Sequence, residues 1–335
     1  MRKLLSLSLV TALAACGGAT GGGTGNLKND SRSAMPTKGA VAVGSPKPSG
    51  TVINRGSGIE QNSISRDDAA GTQSPWLLVT ASLSQNINGG AGGILDLLTS
   101  IISQEPASCT DTSCTWGPGS GALDFNVYQL VVSKNGGQFD YVFSAQAKSK
   151  PGSAFIPFLT GSSTPSAQPH HGTGNFTVDF DAAAQLDHPG SDVGKLALTY
   201  SNVGALRVDA VFTGTKDSQA PTERNNVVYA YANDATGGGD LKVGVHNTTT
   251  NNRFSLHSRW KNDGEGRADV NGSGANSGIP YSVTVSECWA VAPFNVVYFN
   301  SSWKSAEISG IAGADAGAET QCAYPTASPS TTPAP

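Results

Sequence analysis

Charge is what this sequence has least of. Lysine and arginine together number 21, and aspartate and glutamate 25, so only 14% of the 335 residues are charged. The formal net charge is −4, and a chain with no basic excess lacks the electrostatic footprint that nucleic acid phosphates require. Signature motifs of catalysis are missing too. There is no GxSxG nucleophile elbow, no HExxH zinc helix and no Walker loop, which removes the usual marks of α/β-hydrolases, metalloproteases and P-loop NTPases. The apolar stretch "LLSLSLVTALAA" near the start falls short of the roughly 20 residues needed to span a hydrocarbon layer.

Cysteine is scarce as well, five in all, and an odd number in an exported protein implies a thiol outside the disulfide framework. Residues 1–15 open with Arg2 and Lys3 and continue into that short apolar run, the pattern of a secretory signal peptide. Its end, Leu13-Ala14-Ala15-Cys16, resembles the lipobox of bacterial lipoproteins, in which small residues precede a cysteine that becomes the mature N-terminus. The resemblance implies a diacylglycerol on the Cys16 sulfur, cleavage before Cys16 and acylation of the new amine. One acyl chain binds a membrane only marginally, whereas two or more make a stable anchor. Gly17 and Gly18 follow where an aspartate would favour retention at the inner membrane, so the same resemblance implies the outer membrane of the cell envelope, with the protein facing the periplasm or the surface. Without Arg2 and Lys3 the formal charge of −4 becomes −6.

Four cysteines remain: Cys109 and Cys114 in "CTDTSC", Cys288 in "SECWA" and Cys322 in "ETQCAYP". Three pairings are open, and the spacing favours Cys109 with Cys114 and Cys288 with Cys322. An oxidising compartment suits both. Zinc is disfavoured, because no CxxC spacing occurs and no histidine lies near either pair. No metal and no cofactor is expected.

Composition divides the chain into the signal peptide, a lipidated N-terminus and disordered tether over 16–75, a β domain over 76–322, and a disordered tail over 323–335. The tether is rich in Gly, Ser, Asn, Pro and Thr and cannot bury enough surface to offset the entropy of ordering it. Ile94, Leu97, Leu98 and Ile101 fall on one helical face, widened by Leu95 and Ile102, which predicts an amphipathic helix near residues 91–104. After Gly121 the period changes to two. Phe139, Tyr141 and Phe143 alternate with polar or smaller neighbours, as do Leu196, Leu198 and Tyr200, or Val227, Tyr229 and Tyr231, with turn signals such as "KNGGQ" and "NDGEG" between such runs. The fold class expected is therefore mainly β: one long antiparallel meander curled into a barrel, half-barrel or sandwich, with the helix covering it.

Candidate chemistry is thin. "DVNGSG" from Asp269 resembles the opening of a calcium loop, but position 12 is Pro280 instead of the bidentate Glu, so it reads with "NDGEG" as a pair of turns. "SSWK" sets Ser301 and Lys304 at the spacing of serine acyl-transfer enzymes without their companion motifs. His170, His171, His188, His246 and His257 have no second ligand beside them and read as solvated surface residues. Trp116, Trp260 and Trp289 sit at strand ends or beside the cysteines. They read first as packing residues and second as candidate binding aromatics for a glycan or a protein.

The order "WGP", "GSAF", "GNFTVDFDAAAQLD", "HSRW…GEGRADV" and "SECW…C" over roughly residues 76–322 resembles a family of uncharacterised outer-membrane lipoproteins of two-membrane bacteria. That likeness carries no activity or site residues. The function expected is a non-enzymatic, lipid-anchored envelope protein that binds an envelope protein or glycan partner, or organises the outer-membrane surface. The alternative is a carrier that holds a lipid or other hydrophobic ligand in a half-barrel cavity.

Overall fold

The computed structural model describes residues 24–46, 71–122, 124–188, 190, 192–216, 220–233, 237–276, 279–305, 309–310 and 315–329. The signal peptide and Cys16 lie outside these, as does the stretch 47–70 of the expected tether. The chain is mainly β, and its strands run as an antiparallel meander, as the period-two pattern predicts. It groups into two compact units where composition suggests a single β domain: residues 89–204 with the segment up to Ala42, and Val43–Asn88 with residues 205 onward.

One helix, α2, runs from Pro75 to Ile102, longer at its start than the periodic stripe indicates. Its residues up to Asn88 belong to one unit and those from Gly89 to the other. The start is written in the dipeptide Ser74-Pro75: the Ser74 hydroxyl accepts from the Leu77 N–H at 3.0 Å, and proline suits the first helical position because no N–H is needed there. Glycines 89, 90, 92 and 93 lie inside the helix although each costs about 1 kcal/mol relative to alanine. Burial of Ile94, Leu95, Leu98 and Ile102 supplies the compensating apolar contact, and at Gly92 the Lys38 stem crosses where a Cβ would otherwise stand.

In the unit built on residues 89–204, the strands are β1 (Ser108–Cys109), β2 (Ser113–Gly119), β3 (Asn126–Asn135), β4 (Gln138–Ala147), β5 (Ile156–Pro165), β6 (Gly172–Asp179) and β7 (Lys195–Ser201). Register places Leu130, Phe143, Leu159, Val178 and Leu196 in one row across five of them, all buried. Helix α1 (Thr24–Ala34) belongs to this unit, so the described part of the expected tether is not disordered. Leu27, Met35 and Val41 are buried, and Arg32 caps the end of α2 by donating to the carbonyls of Ile102, Ser103 and Gln104 at 2.7, 2.7 and 3.0 Å. A cation at a helix C-terminus satisfies orphan carbonyls and opposes the helix dipole, and composition alone does not reveal that partner.

The other unit contains β8 (Arg207–Lys216), β9 (Arg224–Asn233), β10 (Gly239–Asn247), β11 (Arg253–Trp260), β12 (Gly266–Asn276), β13 (Ile279–Trp289), β14 (Val296–Ser305), β15 (Ser309–Gly310) and β16 (Ala316–Gly317). Ala210, Tyr229, Val243, Leu256, Val270 and Val285 form a buried row in register. The first turns of α2 pack on the same face: Trp76 stacks on Phe254 with centroids 6.3 Å apart, and the Thr80 and Ser258 hydroxyls meet at 2.8 Å. "DVNGSG" lies within β12, not in a turn, because its alternating side chains pair in register with β11 and β13 on either side.

Both units accommodate large rings in the same way. Tyr141 faces Gly161, Tyr200 faces Gly174, Trp260 faces Gly239 and Trp289 faces Gly266 across neighbouring strands. An added Cβ at each glycine would lie 2.3 to 2.6 Å from the nearest atom of the facing aromatic side chain, so the ring lies flat over bare backbone. This accounts for some of the abundant glycine. Burial raises the phenols of Tyr141 and Tyr200 well above the ordinary tyrosine range and pushes Tyr229 up to about 12.

Candidate functional site

The most unusual chemistry among the described residues lies on the sheet face of β10 to β13 opposite α2. Strand alternation puts Leu256, Ser258 and Val270 toward the helix side and His257, Arg259, Arg267 and Asp269 on the other. Register then aligns them: His257 opposite Asp269, Arg259 opposite Arg267, Asp240 opposite Arg259, and Ser286 and Cys288 opposite Asp269 and Arg267. A charged face of this kind is normally wet. Here it is covered, because the Cys288–Cys322 disulfide brings the chain after β16 back across it.

Arg267 is fully buried and Asp269 nearly so. The Asp269 carboxylate accepts from Arg267 Nε at 2.8 Å, Ser286 Oγ at 2.7 Å, Arg259 Nη2 at 3.1 Å and the Ser328 N–H at 3.0 Å. Arg267 Nη1 in turn donates to the Tyr324 carbonyl at 3.1 Å and pairs with Glu319 at 2.7 Å. Arg259 Nη2 donates to the Thr326 carbonyl at 3.0 Å, and its guanidinium lies over the Tyr324 ring. His257, 4% exposed, faces Asp240 Oδ1 at 3.0 Å through Nε2 and the Ser328 carbonyl at 2.5 Å through Nδ1. Burial alone raises the Asp240 carboxyl, but the His257 hydrogen bond, with the charges of His257, Lys242 and Arg259, outweighs it and holds the group below the ordinary carboxylate range.

Residues 323–329, which composition assigns to a disordered tail, therefore form a strap gripped at every second residue, at Tyr324, Thr326 and Ser328. Nearly all of the grip is on backbone atoms, so nothing in the segment's own side chains announces it. His257, which its strand pattern places on a solvated face, is buried by that strap.

The remaining sequence candidates fall into structural roles. Cys109 and Cys114 are bonded partners across β1 and β2, and Cys288 and Cys322 form the second disulfide. Trp116, Trp260 and Trp289 are 4%, 3% and 1% exposed, which overturns their reading as a stacking platform. Trp116 donates its indole N–H to the Gln104 carbonyl at 3.0 Å, Trp289 to the Gly264 carbonyl at 2.8 Å, and Trp260 stacks on Tyr231. Ser301 is buried in β14 while Lys304 is exposed, because residues three apart on a strand point to opposite faces. Their SxxK spacing thus brings no proton acceptor to the serine. His170 and His171 meet the Met35 and Asn202 carbonyls at 2.9 and 3.0 Å. No group of three or more His, Cys, Asp or Glu able to hold a metal occurs among the described residues, and none of their helices is long and apolar enough to cross a membrane.

The arrangement is suited to holding an extended backbone. Both nitrogens of His257 are engaged, Nε2 by Asp240 and Nδ1 by the Ser328 carbonyl. The signal that could have located this face is the alternation "HSR" and "RAD" on successive strands, two runs of charge at period two with compatible signs. No protein-family model matches the chain, and neither a curated protein nor a solved structure matches it.

Proposed function

We propose that this chain is a lipid-anchored protein of the bacterial cell envelope, attached to the outer membrane through Cys16, whose β units bind a partner or organise the outer-membrane surface. The observation that carries the reading is the cysteine pattern. Four of the five cysteines are consumed in two disulfides, the chemistry of an oxidising compartment, and the fifth stands in a lipobox-like tetrapeptide behind a signal-type segment. Ring-over-glycine packing and a buried, internally paired ionic face fit a rigid binding module. The alternative is a carrier of a lipid or other hydrophobic ligand; one open depression of about 350 Å³ among the described residues, lined by Thr250, Asn251, Arg253 and Ser273 with Gly274, Ala275 and Pro280, is not the enclosed apolar cavity such a ligand needs.

The test is Cys16→Ser in the full chain, followed by metabolic labelling with a fatty acid and membrane fractionation. The variant should remain unprocessed, take up no label and lose stable membrane attachment. Labelling and fractionation indistinguishable from the parent would remove the anchor from the proposal. Mild crosslinking of the anchored parent, with recovery of the adducts, then identifies what the β units touch.

A further inference from the structure

We infer that the C-terminal strap is closed by a proton: the end at Ser328 is docked while His257 is the imidazolium and is released as that proton is lost. Two acceptors flank the ring. Nδ1 lies 2.5 Å from the Ser328 carbonyl and Nε2 lies 3.0 Å from Asp240 Oδ1. A carbonyl and a carboxylate only accept, so satisfying both requires an N–H on each ring nitrogen, and only the imidazolium has two. The neutral ring keeps one. Hydrogen bonds to a carboxylate are roughly twice as strong as those to a neutral acceptor, so the remaining proton stays on Nε2 toward Asp240. Nδ1 then turns a lone pair on the Ser328 carbonyl, and that contact becomes repulsive.

The charged groups around the ring bear in both directions. Asp240 on β10 and Asp269 on β12 favour the cation; Lys242 on β10, which is the register partner of His257, Arg259 on the same strand and Arg267 on β12 oppose it. The strap adds Tyr324, whose ring lies against Arg259, and the segment before it adds Glu319, paired with Arg267. Ser328 is gripped at both backbone groups, its N–H by Asp269 and its carbonyl by His257. Loss of the second contact weakens the first, while Tyr324 and Thr326 keep their arginines and the Cys288–Cys322 bond keeps the strap's root in place. The device therefore opens from its end without detaching.

The experiment is amide hydrogen exchange by NMR on the full, disulfide-bonded chain from about pH 5 to pH 8, the range in which imidazole titrates. After correction for the intrinsic exchange rate, protection of the Ser328 amide should fall by about ten- to a hundredfold as pH rises, the weight of one charge-assisted hydrogen bond. The Cys322 amide, which donates to the Glu319 carbonyl, should hold its protection. Asp240→Asn, at a side chain 37% exposed, supplies an amide that can donate to Nε2. The single proton then stays on Nδ1, and Ser328 should be protected across the whole range. Ser328 protection that does not change with pH in the parent, loss at Cys322 in parallel, or an unchanged pH profile in Asp240→Asn would each overturn the inference.

Discussion

Replacing Asp269 by alanine tests the account of the strap face most directly. The carboxylate is 1% exposed and accepts four hydrogen bonds, two from arginines and one from the strap. Removing it leaves the fully buried Arg267 guanidinium with Glu319, the Tyr324 carbonyl and the face of the Tyr298 ring, and without its buried carboxylate. Breaking a buried pair by deleting one partner costs about 3–5 kcal/mol, and the loss here should fall in that range because Arg267 cannot reach water. Urea unfolding of the disulfide-bonded chain, followed in parallel by tryptophan fluorescence and far-ultraviolet circular dichroism, reads the loss as a lower midpoint for the unit that holds Trp260 and Trp289. The companion Arg267→Met/Asp269→Leu should recover most of it, since well-packed apolar replacements of a buried ion pair are often neutral or stabilising. A single variant within about 1 kcal/mol of the parent, or a double variant that loses the sum of two single losses, would refute the claim that these charges depend on one another.

Three further outcomes follow from the packing. Ser74→Ala removes the α2 cap and the hydroxyl that meets Glu287, and should cost about 0.5–2 kcal/mol in the same unfolding assay. Gly266→Ala would set a Cβ 2.6 Å from Trp289 Cζ2 and 2.5 Å from the Arg259 carbonyl, an overpacking loss of about 1–3 kcal/mol that also shifts the near-ultraviolet dichroism of the indole. Tyr229, with its phenol raised from 10.0 to about 12 by burial, is neutral in the fold where an unfolded tyrosine would already ionise. Its share of stability is therefore complete below about pH 10 and declines as pH rises from there through about 12, and the 295 nm phenolate absorbance of Tyr229 should lag that of exposed tyrosines; ionisation at the ordinary value would contradict its burial.

Much of the architecture is legible in the chain itself. The period-two runs Phe139–Phe143, Leu196–Tyr200 and Val227–Tyr231 become strands with those side chains buried, because a strand has only two faces and a one-residue slip would expose the apolar one. The disulfide pairs are legible from spacing. The extent of α2 is half-legible: its apolar stripe predicts the second half, and the Ser74-Pro75 start lies beyond the glycines that interrupt the pattern. What misleads is composition near the ends. Residues 24–46 and 323–329 lack the apolar content of a core, yet Arg32 ties the first to the carbonyls that end α2, and Arg259, Arg267 and Asp269 hold the second through its backbone atoms.

The division follows from what kind of interaction each feature uses. Periodicity and cysteine spacing are local or countable, so the chain's own pattern specifies the mainly β class, the meander, the apolar stripe of the second half of α2 and the two disulfide pairs. The three tryptophans, His257 and the strap depended on which strand faces which. The fold chooses core packing over a surface platform for Trp116, Trp260 and Trp289, puts a histidine of a polar face under a cover, and lets backbone carbonyls of a proline-rich segment accept from buried Arg267 and half-buried Arg259. A backbone acceptor is the same at every residue, so no side-chain pattern can declare in advance where it will be used.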